Sequence, residues 1–82
     1  MAGSDEDKRA LKMVRSILGR RGIDVSRADV RVQRGLCSIR GFVGLVAGSH
    51  ISNLETEMEQ VAHIIRQKPE IRNVVLEVSY QK

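Results

Sequence analysis

From Val30 to Val43 apolar residues recur at every second position on both sides of a two-residue interruption. Val30 and Val32 alternate with Arg31 and Gln33, the pair Arg34-Gly35 breaks the run, and Cys37, Ile39, Gly41 and Val43 then share one parity. Leu36, Ser38, Arg40 and Phe42 take the other. A period of two is the signature of a strand with one face buried. A two-residue break ending in glycine, set between two such runs, predicts a hairpin. A hairpin with one apolar face is not stable in water on its own, so the rest of the chain must supply a cover for that face and a third strand.

Two stretches have the helical period needed for the cover. Ser4 with Asp7 forms a capping pattern, and behind it Ala10, Leu11, Val14, Ile17 and Leu18 predict a helix over about 5–18. Lys8, Lys12 and Arg15 fall on a different face of it, open to solvent or an anionic partner. Gly19 and Gly22 end the pattern, and 23–27 reads as a connector. Ser52 with Glu55 forms a second capping box ahead of the stripe Leu54, Met58, Val61, Ala62 and Ile65. Glu55, Glu57 and Glu59 sit towards the start of this helix and Arg66 and Lys68 towards its end, as the helix dipole favours. Pro69 stops it. Val74, Leu76, Val78 and Tyr80 then alternate with Val75, Glu77 and Ser79, predicting the third strand. Between hairpin and second helix, residues 44–48 either extend the second strand past a bulge at Gly44, the favoured reading, or form an apolar loop whose Leu45 and Val46 enter lipid headgroups.

The predicted fold is α+β, ordered α-β-β-α-β, with two helices packed on one face of a three-stranded mixed sheet. Eighty-two residues suffice for one such domain, with residues 1–7 expected to be a flexible lead. Apolar residues at 41% and charged ones at 29% suit a folded globular chain. A core this small argues against an enzyme with its own deep cleft, and it favours stabilisation by a neighbour or by homo-oligomer formation. The single cysteine, Cys37, excludes an intrachain disulfide and a thiolate zinc cluster; its parity with Ile39 makes it a small core residue. The polar, acidic start lacks a signal-peptide core and no stretch reaches the length of a membrane span, so the chain as written is expected in the cytoplasm. As a piece of a longer precursor it is expected at the envelope instead.

Charge is unevenly distributed along the chain. Residues 8–43 carry ten basic side chains against Asp24 and Asp29, a net +8, whereas the whole chain carries +4. Such asymmetry attracts phosphates on lipid or nucleic acid. Two groups of residues are candidates for that contact. Gly19-Arg20-Arg21-Gly22 matches the GxxG loop with which KH domains clamp a nucleic-acid backbone, Arg20 and Arg21 being placed to pair with phosphate oxygens. A KH loop is followed directly by a helix, however, and here a connector and strand follow, so a helix stop is the simpler reading. Arg31, Arg34, Arg40 and Phe42 fall on or near the uncovered sheet face. One aromatic makes a poor base-stacking platform, which favours a protein partner there over RNA. Glu59 and His63 stand one helical turn apart without a third metal ligand, and Glu55 with Glu59 is explained by the dipole. His50 reads as a loop residue. No cofactor is implied.

The hairpin Val32-Gln33-Arg34-Gly35-Leu36-Cys37-Ser38-Ile39-Arg40-Gly41-Phe42-Val43 resembles the signature of the BON domain family, which alternates apolar residues around two glycines. In that resemblance Gly35 supplies the turn and Gly41 lets the second strand pass close under a helix. Val61-Ala62, Ile64-Ile65 and Pro69-Glu70-Ile71-Arg72-Asn73-Val74 are similar to the family's helix end and following turn, so the likeness spans roughly residues 11–78. Glu70 departs from it, standing where the family has glycine after the proline. The resemblance implies a non-enzymatic module of bacterial envelope and stress proteins that contacts phospholipid surfaces or other proteins. An RNA-binding KH-like module and a purely structural oligomerisation domain are the alternatives.

Overall fold

The computed structural model describes residues 5–80. Its elements are α1 (Asp5–Arg20), β1 (Ile23–Gln33), β2 (Leu36–Leu45), α2 (Leu54–Arg66) and β3 (Asn73–Tyr80). β2 is the central strand, antiparallel to β1 and parallel to β3. The parallel pairing requires a crossover, and α2 is that crossover. The predicted α+β order and mixed sheet are therefore the observed ones. Val30, Val32, Cys37, Ile39, Val43 and Val74 form one buried cluster with Ala10, Val14 and Leu18 of α1 and Met58, Val61, Ala62 and Ile65 of α2. The opposite parity, including Arg31, Gln33, Leu36, Arg40 and Phe42, is exposed. Both helices thus cover the same face.

The hairpin turn joins distant parts of the chain. Arg34 and Gly35 both have positive φ, 51° and 81°, as in the primed turns that match the twist of paired strands. A non-glycine residue in this region is strained, and a carboxylate offsets that strain. Arg34 N donates to Asp7 Oδ2 at 2.9 Å and Gly35 N donates to Asp7 Oδ1 at 3.3 Å. On the other side, Gly35 O accepts from Arg72 N at 2.7 Å, and a Cβ at Gly35 would lie 3.0 Å from Arg72 Cγ. Asp5, Glu6 and Asp7 form the first turn of α1, where the helix read over about 5–18 begins, and Asp7 is buried. Residues 1–4 of the expected flexible lead, and with them the Ser4 cap, lie outside the described residues.

Several boundaries differ from the sequence expectation, each for a local reason. Residues 23–27, expected as a connector, open β1. Asp24 Oδ1 accepts from Ser26 N at 2.9 Å, folding a bulge into the strand between Asp24 and Arg27 that hides the alternation. The irregularity lies there and not at Gly44, and β2 continues to Leu45. Asn53, not Ser52, caps α2, its Oδ1 accepting from Thr56 N at 3.1 Å. Gly41 is approached by β1 rather than by a helix: its φ is +108° and a Cβ would lie 2.8 Å from Arg27 O. α2 ends at Arg66, and Ile71 N donates to Lys68 O at 3.0 Å across a turn with Pro69 second. Glu70 is not among the positive-φ residues, so this turn does not demand the glycine that the BON resemblance would put there.

Asp7→Ala is expected to lower the unfolding free energy by about 2 kcal/mol, because hydrogen bonds to a charged acceptor are among the stronger ones, with Asp7→Asn retaining part of it. Urea titration measures both. Gly41→Ala, which meets backbone at once, is expected to cost about 2 kcal/mol or more, against about 1 kcal/mol for Gly48→Ala in open space.

Candidate surface-contact site

The chain direction assigns the candidate residues to different regions. α1 runs from the hairpin-turn end of the sheet to the opposite end, where Gly22 stops it. Gly22 N donates to Gly19 O at 3.0 Å, Gly22 φ is +77°, and Ser49 Oγ lies only 2.7 Å from where a Cβ would be. Gly22 O in turn accepts from Val46 N at 2.9 Å, which fixes the β2–α2 loop against the end of α1. Both glycine properties, left-handed φ and close approach, are thereby used for helix termination and packing. The element that follows is β1, so Gly19-Arg20-Arg21-Gly22 lacks the helix that a KH loop requires.

Beside this junction Leu45, Val46, Ala47 and Gly48 are consecutively exposed, Leu45 at 45% and Val46 at 44%. Strand extension accounts for Leu45, while Val46 and its successors form an apolar tip. An open hollow of about 660 Å³ separates the tip from α2, with Arg20, His50, Asn53 and Gln60 in its lining. Arg21 Nη1 donates to Glu57 Oε2 across it at 2.8 Å. Arg20 is exposed and lies on the same half of α1 as Lys8, Arg9, Lys12 and Arg15, all exposed. No ion pair engages these five among the described residues, whereas Arg21, Arg31 and Arg40 are each paired. The helical period places Lys8, Arg9 and Lys12 opposite the buried Ala10, Val14 and Leu18, with Arg15 and Arg20 on either flank. Lys8, Lys12 and Arg15 were legible as a separate face from their spacing; Arg9 joins them by the same rule.

The remaining candidates are not brought to this region. Arg34 occupies the hairpin turn at the far end. Arg31, Arg40 and Phe42 lie on the uncovered sheet face, where Arg31 Nε pairs with Asp29 Oδ2 at 2.8 Å and Arg40 Nη2 with Glu77 Oε1 at 3.2 Å. Phe42 is 57% exposed, between Arg27 and Ser79 in the cross-strand register. Gly35 and Pro69 serve turns, as described above. Among the described residues no group of three or more His, Cys, Asp or Glu side chains is placed to hold a metal ion. His63 Nε2 lies 3.2 Å from Gln67 Nε2 rather than against Glu59. No described helix is long and apolar enough to cross a membrane. No family model matches the sequence, and no curated protein is significantly similar to it.

Cys37 is fully buried, and burial pushes its thiol up to about 11. The unfolded thiol ionises near 8.5, so between that pH and about 11 the unfolded state holds fewer protons than the native one and stability falls as pH rises. Thiol-reagent labelling of the native protein at pH 8 is accordingly expected to be limited by opening of the fold and to accelerate with urea. Cys37→Ala is expected to flatten part of the stability loss on the alkaline side, read by denaturation at stepped pH.

Proposed function

We propose that this chain is a non-enzymatic binding module of BON type that docks on an anionic phospholipid surface. The observation that carries this reading is the exposed face of five cations, Lys8, Arg9, Lys12, Arg15 and Arg20, with no ion pair among the described residues, on an amphipathic helix whose C-terminal end is held against an exposed apolar tip. Cations attract the headgroups and Val46 with Leu45 supplies a small apolar contribution, the two-part recipe of interfacial binding. At about 1 kcal/mol per basic side chain near an anionic surface, five give about 5 kcal/mol, a weak and reversible contact that salt erases. The paired arginines of the sheet face contribute little to it, since each already has a carboxylate partner.

RNA offers the same phosphates, but the only exposed ring on the sheet, Phe42, lies on the face away from α1. Bases would find no stacking platform beside the cations. Binding is therefore expected to phosphatidylcholine vesicles that contain phosphatidylglycerol, and not to phosphatidylcholine alone, with strong weakening as salt rises. The double variant Lys12→Glu/Arg15→Glu should weaken it at least about tenfold, and Leu45→Ser/Val46→Ser should weaken it more modestly at unchanged salt dependence. Equal retention on both vesicle types, or retention on single-stranded RNA in place of vesicles, would overturn the reading.

A further inference from the structure

The two edges of the sheet are built differently. β1 is bulged between Asp24 and Arg27 and carries Arg27, Asp29 and Arg31, devices that keep an edge from accepting another strand. β3 reads Asn-Val-Val-Leu-Glu-Val-Ser-Tyr, with neither proline nor lysine and with Glu77 as its one charge. Leu76, Val78 and Tyr80 have the parity of the covered face, yet they are only half-buried, whereas Ile39 and Val43 beside Leu76 and Tyr80 on β2 are buried.

The hydrogen bonds at the start of β3 show which residues face outward. Asn73 N points to Gly35 O on the β2 side. Val74 N donates to Asn73 Oδ1 at 2.8 Å, and Val74 O accepts from Arg66 Nη2 at 3.1 Å, so the backbone of Val74 faces the free edge and is capped by side chains. Because backbone direction alternates along a strand, Leu76, Val78 and Tyr80 also present their N–H and C=O groups outward. No other strand among the described residues takes them.

We infer that β3 is a dimerisation edge that pairs antiparallel with β3 of a second copy, centred on Val78. The choice of occupant and register rests on three features of β3 and α2. Centring on Leu76 would need the backbone of Val74, already capped. Centring on Glu77 would set two like charges directly opposite one another, which is destabilising. Centring on Val78 sets Leu76 opposite Tyr80 and Glu77 opposite Ser79 of the second copy, and uses the uncapped groups alone. Charge on α2 agrees: Tyr80 has its hydroxyl pKa raised by partial burial and by the nearby Glu55 and Glu59, while Arg66 stands over Val74. Antiparallel pairing directs the acidic start of one α2 towards the basic end of the other. A single strand pair with three apolar side chains from each copy falls below a standard interface, so the dimer is a weak one. It is independent of the phospholipid reading, which uses other residues.

Sedimentation equilibrium of the full chain over a wide concentration range tests it, alongside Val78→Pro. Proline at 78 removes an N–H that faces the free edge and leaves the β2 ladder intact. The mass is expected to rise from monomer towards dimer, and Val78→Pro to weaken dimerisation by at least about tenfold while keeping its circular dichroism spectrum. A mixture of Glu77→Cys and Ser79→Cys chains, which requires no folding of the proline variant, should oxidise to the mixed disulfide faster than either chain couples to itself. A monomer at every concentration, an undiminished dimer in folded Val78→Pro, or fastest coupling of Glu77→Cys to itself would overturn the inference.

Discussion

The carboxylate of Asp7 and the carbonyl of Gly35 together hold the structure at one point. A two-residue turn with both φ angles positive is costly when its first residue is arginine, and its two N–H groups face the start of α1. Asp7 satisfies both, while Gly35 O takes the N–H of Arg72 as the chain returns from α2. First helix, hairpin and the entry to β3 are thereby joined within a few ångströms, and the register of the mixed sheet follows. Leu36 meets Asn73 on one side and Gln33 on the other, and the pairing continues from there along both ladders.

That junction also marks the limit of what periodicity can show. The hairpin, the α2 stripe and the alternation of β3 are patterns of neighbouring residues, and each was legible. Asp7 reads locally as an ordinary acid in a first helical turn, since its partners lie 27 and 28 positions away. The opening of β1 was hidden because Asp24 and Ser26 are turn-forming residues, and here they build a bulge inside a strand. Asn53 displaced Ser52 as the cap through a shift of one residue, a distinction that needs backbone geometry. At Gly41 the BON resemblance implies a helix passing close by, whereas the approaching backbone belongs to the neighbouring strand.

The same division applies to the candidate contact residues. Spacing alone put Lys8, Lys12 and Arg15 on the solvent side of α1. It could not show that Arg40 has an acidic partner, because that pair with Glu77 depends on the parallel register set by the crossover. Nor could it show that Gly22 and Val46 are bonded, which is what brings the apolar tip beside the end of the cationic helix. Net charge over a segment indicated an attraction; the topology separated the cations already neutralised from those still open.

A strand thrown out of line at 25–26, with a rim of alternating charge, refuses a guest, so this sheet can grow on one flank only. Addition that closes after a single symmetric step yields a finite particle, whereas two receptive flanks would propagate into a fibre. The kink near Ser26 thus limits the pairing inferred for the opposite border to one closed step.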